Sequence, residues 1–237
     1  MRQLSTLTDA VLAAGAGDPA SPLLTFYDDA TGERTELSTL TATNWAAKCA
    51  NMIRDEWGLV PGDVVAVDLP VHWQTFVILL GAWWSGCAVT IGPDDDAAAA
   101  FCSRDRLDAQ GSAGEIAAAG LDAFAMPLPN LPVGVTDFAG AVRVHGDQFT
   151  PSTPGPSALG GRKTEDVIVA ATASAAREQI SPGDRIMSTR KWDSANAVTD
   201  NLLAVYIATA SLVQVSSADT AGLAARAVSE KVTGTLT

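Results

Sequence analysis

The chain has 237 residues, 47% of them hydrophobic and 18% charged, which excludes a disordered polypeptide and leaves ample length to bury a core. Its 15 Lys and Arg stand against 27 Asp and Glu, a formal net charge of −12. Nucleic acid and anionic lipid both attract clustered Lys and Arg, so neither is an expected partner.

Residues 1–17 carry one Arg and an Asp inside their apolar stretch. They fit a short amphipathic helix with Leu4, Leu7, Val11 and Leu12 on one face better than a secretory leader. Residues 23–27 and 34–37 predict two strands joined by the turn residues Asp28-Asp29-Ala30-Thr31-Gly32. Ser38 caps a helix to about Trp57, with the stripe Leu40, Trp45, Cys49, Met52 and Ile53, and Gly58 ends it. Pro61-Gly62-Asp63 turns into Val64-Val65-Ala66-Val67, a continuous apolar run suited to a strand buried on both faces of a parallel sheet. A helix over residues 73–84 and a strand over 87–91 complete a β-α-β unit. Residues 69–93 lack Asp, Glu, Lys and Arg, but their flanks are acidic and Ser85-Gly86 interrupts them. A buried helix and strand explain the run better than a membrane span does.

Further on, the pattern predicts a strand over 98–103, a helix over 106–119, a strand over 123–128 and a short helix over 136–142. Residues 150–161, Thr-Pro-Ser-Thr-Pro-Gly-Pro-Ser-Ala-Leu-Gly-Gly, are the most loop-like of the chain. Thr164 then caps a helix to about Gln179, and Ser181-Pro182-Gly183-Asp184 forms a second tight turn. A strand over 185–189, a helix over 193–209, a strand over 211–215, a helix over 220–230 and a strand over 232–236 follow.

The two Pro-Gly-Asp turns each open a strand, a helix and a strand, and Leu79-Leu80-Gly81-Ala82 matches Leu202-Leu203-Ala204-Val205 within the helices. The expected fold class is therefore α/β: layered sheets with flanking helices and two pseudo-duplicated β-α-β units. Residues 1–149 would form a first half, 150–163 a Pro/Gly-rich connector and 164–237 a second half, unless the whole is one compact domain.

Chemical motifs are sparse. The three cysteines, Cys49, Cys87 and Cys102, form no disulfide framework, and a reducing cytoplasm is the simplest setting. With His72 and His145 the only histidines and no Cys-x-x-Cys, no metal site is expected; Asp94-Asp95-Asp96 reads as a solvated turn. No Gly-x-Ser-x-Gly occurs, and Cys87 falls in a buried strand. Residues 155–164 approximate a phosphate loop, but two extra residues separate Gly160 from Lys163, no apolar strand precedes them, and Pro156 lacks an N–H. No catalytic residue is assigned. Trp83-Trp84 and Trp73 read as core or interface packing.

The order of phrases resembles the adenylate-forming (AMP-binding, acyl-CoA synthetase-like) superfamily. Glu36-Leu37-Ser38-Thr39-Leu40, Gly58 through Gly62-Asp63-Val64-Val65, and Leu80 through Gly86 to Pro93 stand where that family has its opening scaffold phrases. The second unit, Ser181 through Leu203 to Val215, resembles the element after its phosphate loop. The likeness covers the N-terminal part of the family architecture and implies ATP or AMP and CoA as ligands to test; the residues themselves name no cofactor. It also places the family's phosphate loop at Thr150, Ser152, Thr153 and Gly155, where hydroxyls and one Gly remain without the Pro-Lys-Gly ending. The later family phrases and the domain with the catalytic Lys are not found, which reads as a truncated, degenerate relative.

Three readings stay open: a non-catalytic relative acting by binding or assembly, a nucleotide- or acyl-CoA-binding module or ligase fragment with residual activity, and an oligomeric interaction protein, in which case a homo-oligomer is expected. The small-molecule ligand is unknown.

Overall fold

The computed structural model describes residues 6–151 and 153–237, so Leu4 and Ser152 lie outside the described residues. The chain begins with α1 (Leu7–Ala13) and the hairpin β1 (Pro22–Asp28) and β2 (Glu33–Ser38), then α2 (Thr39–Asn51) with a π turn at Met52–Glu56. Next come β3 (Val64–Asp68), α3 (Trp73–Trp84), β4 (Ala88–Ile91), β5 (Ala99–Ser103), β6 (Glu115–Ala119), β7 (Val135–Asp137) and α4 (Phe138–Arg143). The later part holds α5 (Thr164–Arg177), β8 (Arg185–Ser188), α6 (Ala195–Val198), a π turn at Thr199–Leu203, α7 (Ala204–Ile207), β9 (Ser211–Ser216), α8 (Leu223–Ser229) and β10 (Gly234–Leu236).

Two compact units result: Met1–Asp9 with Thr43–Thr164, and Ala10–Ala42 with Glu165–Thr237. Each carries a five-stranded sheet, ordered β4-β3-β5-β6-β7 in the first and β10-β8-β9-β1-β2 in the second. This is the expected α/β class. The partition differs from halves cut at 149 and 164, because β1 pairs in parallel with β9, Leu24 opposite Leu212. The hairpin is thus part of the later sheet, while 150–163 belongs with the first unit.

In the first unit all four strand pairs are parallel. A strand with neighbours on both sides and both faces covered has no polar face, which is why Val65, Ala66 and Val67 read as a run rather than an alternation. Every residue of α3 is buried, including Gln74 and Thr75, consistent with its lack of charge. No helix among the described residues is long and apolar enough to cross a membrane. Gly81 lets α3 approach α2 closely, since a Cβ there would stand 2.3 Å from the Cys49 Cβ. Trp73, Trp83 and Trp84 are all core residues.

Two sequence expectations fail here. The helix over 106–119 is a 3-10 turn, Arg104–Ala109, followed by β6. Gly111 takes φ +54 and ends the turn. The Ala-rich run then pairs with β5, where small side chains suit a strand packed on both faces. The strand over 123–128 is a loop instead. Asp122 accepts the N–H groups of Phe124 and Met126 at 2.9 and 2.8 Å, and Leu121 and Ala125 take left-handed φ of 50° and 48°. Local Asx hydrogen bonding wins over strand propensity.

The second unit has Tyr206 wholly buried, its hydroxyl donating to the Leu23 carbonyl at 3.4 Å. A polar cluster joins the hairpin, β8 and the end of α8. Glu230 accepts from Tyr27 at 2.5 Å, Arg185 at 2.6 Å and Arg34 at 3.0 Å, while Arg226 pairs with Asp29 at 2.6 Å.

The internal repeat is visible bond by bond. The Gly62 N–H donates to the Gly86 carbonyl at 3.0 Å, and the Gly183 N–H donates to the Thr209 carbonyl at 3.0 Å. Asp63 and Asp184 each accept, through Oδ2, the N–H three residues earlier, at 2.8 and 2.7 Å. The Ala88 N–H reaches the Asp63 carbonyl at 2.8 Å, and the Ser211 N–H reaches the Asp184 carbonyl at 2.9 Å. Ser85 to Gly81 and Ala208 to Ala204 are likewise matched, which equates the two Leu-Leu phrases. The second unit's connection is two residues longer, since Val64 sits opposite Ala88 but Arg185 sits opposite Ser211.

Candidate functional site

The segment 150–161 is fastened to the first unit at the corner where the Pro-Gly-Asp turn meets the α3–β4 turn. Gly62 and Gly86 take φ of +102° and +88°, which turns both chains tightly and leaves no side chain above them. Gly155 enters that space and donates its N–H to the Gly86 carbonyl at 3.1 Å. A Cβ on Gly155 would lie 2.5 Å from the Gly86 oxygen and 2.6 Å from the Gly62 nitrogen. Downstream, Ala158 accepts the Val89 N–H at 2.9 Å and the Trp83 Nε1–H at 3.0 Å. Gly160 donates to the Val89 carbonyl at 2.9 Å, and Leu159 is fully buried beside β4. The tight turn closes with Ala158 and Leu159 donating to the Arg162 carbonyl at 2.7 and 3.3 Å.

The predicted site residues fall on this strap as follows. Thr150 and Thr153 are exposed, and the Thr150 carbonyl accepts Arg54 Nη1 at 3.4 Å. Upstream of them, the Arg54 guanidinium lies over the Phe149 ring at 4.4 Å. Gly155 is in the corner with its amide engaged. Ser152 is outside the described residues. A phosphate cradle requires successive N–H groups pointing at one anion. Seven of the twelve positions 150–161 offer none: Pro151, Pro154 and Pro156 lack the hydrogen, and Gly155, Ala158, Leu159 and Gly160 spend theirs on carbonyls. Of the described hydroxyl residues in the segment, Thr150 and Thr153 are exposed and Ser157 is half-buried.

Cys87 and Cys102 are not activated nucleophiles. Cys87, next to Gly86, is buried, and burial pushes its thiol up to about 11, with Asp63 adding to the effect. It is a neutral thiol at pH 7. Cys102 behaves alike, raised to about 12 by burial and then by Asp68 and Asp105. Among the described residues no group of three or more His, Cys, Asp or Glu could hold a metal ion.

Sequence reasoning missed a second feature. In the second unit a recess of about 190 Å³ opens at the Gly183 and Thr209 corner. The signal was present in the repeated Pro-Gly-Asp turn, but nothing in the sequence says that one copy is filled and the other is not.

No family model matches the chain. A curated protein of Mycobacterium tuberculosis, described as "TIGR03089 family protein", is 47% identical over 241 residues, covering 98% of both chains. The chain belongs to the TIGR03089 family. Among solved structures, the TIGR03089 chain is similar to the Brucella canis acyl-CoA synthetase, with a TM-score of 0.79 at 17% identity over 97% of this chain and 46% of that one. It is also similar to the anthranilate CoA ligase AuaEII in complex with anthranoyl-AMP, with a TM-score of 0.71 at 13% identity over 89% of this chain and 45% of that one. The N-terminal domain of FACL13 from Mycobacterium tuberculosis matches with a TM-score of 0.64 at 15% identity, over 97% of this chain and 62% of that one. The TIGR03089 chain thus has the fold of the N-terminal part of acyl-CoA synthetases and spans about half the length of the Brucella canis and AuaEII chains. Likeness at these identities speaks for the fold alone.

Proposed function

We propose that this chain is an acyl-CoA synthetase-like scaffold that does not catalyse adenylation and acts by binding or assembly. The observation that carries the proposal is the strap at residues 150–161, where the family likeness puts a phosphate loop. Four of its amides, those of Gly155, Ala158, Leu159 and Gly160, are bonded to the carbonyls of Gly86, Arg162 and Val89, and three further positions are prolines without an N–H. Transfer of an adenylyl group needs charge stabilisation on the phosphates from pre-positioned donors, and amides already bonded to carbonyls cannot supply it without breaking the strap. The segment serves instead as a clasp that covers the edge of β4 and fills the glycine corner. A cytoplasmic setting fits the three cysteines, all free and buried.

The test is carboxylate-dependent exchange of labelled pyrophosphate into ATP, run on the purified chain with a panel of aliphatic and aromatic acids. No exchange above the acid-free rate is expected; acid-stimulated exchange overturns the proposal. A thermal-shift series with ATP, AMP and an acyl-CoA at millimolar concentration adds the binding arm, because a ligand selective for the folded state raises the midpoint by mass action. ATP and AMP are expected to leave the midpoint unchanged.

A further inference from the structure

The two repeats differ in one respect that their backbone bonding does not require. In the first unit the corner over Gly62 and Gly86 is filled by the strap, and only about 10 Å³ remains beside it. A Cβ on Gly62 would meet the Pro156 ring at 3.1 Å. In the second unit the corresponding corner over Gly183 and Thr209 is open: a Cβ on Gly183 would find nothing within 4 Å. The recess there holds about 190 Å³.

The corresponding acceptors are in place. Gly86 O takes two N–H groups, from Gly62 at 3.0 Å and from Gly155 at 3.1 Å. Thr209 O takes the first of these equivalents, from Gly183 at 3.0 Å, and no described segment of the chain supplies the second. Thr209 holds a left-handed φ of 59°, in the same region as Gly86 at 88°, and its carbonyl accepts the equivalent glycine N–H. The recess is also lined by Asp18 and Asp184, with no Lys or Arg among its lining residues.

We propose that this recess binds an extended peptide segment through an amide N–H donated to the Thr209 carbonyl, as Gly155 is bound in the first unit. A positively charged peptide is favoured over an acidic one by the two carboxylates. The volume suits a glycine flanked by small residues, and the main-chain hydrogen bond sets the register, as in other modes of recognition that reuse backbone pairing.

The probe is the hexapeptide Thr-Pro-Gly-Pro-Ser-Ala, the sequence of residues 153–158, with a free amino terminus and an amidated carboxyl terminus so that it carries one positive charge. It is titrated into the full chain labelled with 15N, and amide shifts are followed. Saturable shifts are expected at Gly183, Asp184, Ala210 and Ser211. Replacing the glycine of the peptide by sarcosine removes the N–H and is expected to weaken binding about tenfold, the loss of one hydrogen bond. Ala14→Trp, which places a ring in the recess, is expected to abolish the shifts. The sarcosine comparison needs no change in the protein, so it stands even if that variant folds poorly. Absence of saturable shifts at these four amides, or equal affinity for the sarcosine peptide, overturns the proposal.

Discussion

At Gly155 a single hydrogen atom decides whether the strap can close. The glycine is required there by approach distance rather than by dihedral, since a methyl group would sit 2.5 Å from a backbone oxygen that cannot move without opening the Gly62 turn. Gly155→Ala is expected to destabilise the fold by about 1–3 kcal/mol, read from urea unfolding. Glu230 shows the opposite kind of residue, one set by charge. Burial disfavours its ionised form, yet the hydrogen bonds from Tyr27, Arg185 and Arg34 outweigh that and bring its carboxyl down to about 2. A carboxyl lowered in the folded state adds stability above its unfolded value and loses it as the pH falls through the folded one. The contribution of Glu230 is therefore complete at neutral pH and fades from about pH 4.5 to about pH 2. Glu230→Gln is expected to cost about 2–3 kcal/mol at pH 7 and to flatten the pH dependence of stability in that window. The sequence marked Gly155 only through the family likeness, as part of a phosphate loop rather than a packed corner, and it did not mark Glu230. A Gly between prolines reads as loop whatever it touches, and Glu230 lies 203 residues from the tyrosine that donates to it.

Among the elements, the repeat was the most legible feature because it rests on local chemistry. A Pro-Gly-Asp turn carries its own hydrogen bonds, and a short apolar run between such a turn and a helix suits a strand buried on both sides. The equivalence extends one step further back, to the helix ends at Gly58 and Gln179, both left-handed at φ 69° and 57°. A side chain is strained in that region and glycine is not. Gln179→Gly is expected to stabilise the second unit by about 0.5–1 kcal/mol, checked by the shift in thermal midpoint. The strap yields a second expectation at this scale. Amides of Gly155, Ala158, Leu159 and Gly160 are expected to exchange with solvent much more slowly than that of Thr153, as seen by hydrogen exchange with NMR. Uniform fast exchange across 150–161 would show that the clasp is open in solution. Elements placed wrongly were those where local pattern was weak. Alanine suits a helix intrinsically, and only the seat beside β5 makes Glu115–Ala119 a strand.

Considering the whole molecule, chain order and spatial order part company. The hairpin formed early in the chain completes a sheet whose other three strands come after residue 184. Cutting the chain between 149 and 164 thus leaves the later fragment with β9 unpaired on one side. Residues 164–237 expressed alone are expected to lack a cooperative unfolding transition and the dispersed amide spectrum of the full chain. Composition, charge, the α/β class, the duplicated β-α-β units and the scaffold likeness to acyl-CoA synthetases were all determined by the sequence itself, because each depends on residue type or on neighbours a few positions apart. Only the tertiary structure decided that the hairpin joins the later sheet, that the Pro/Gly-rich segment is a fastened strap with four of its amides bonded to carbonyls, and that one repeat corner is filled while the other is open. Those outcomes depend on which distant groups meet, and hydrogen-bond partners tens to hundreds of residues apart leave no periodicity to read.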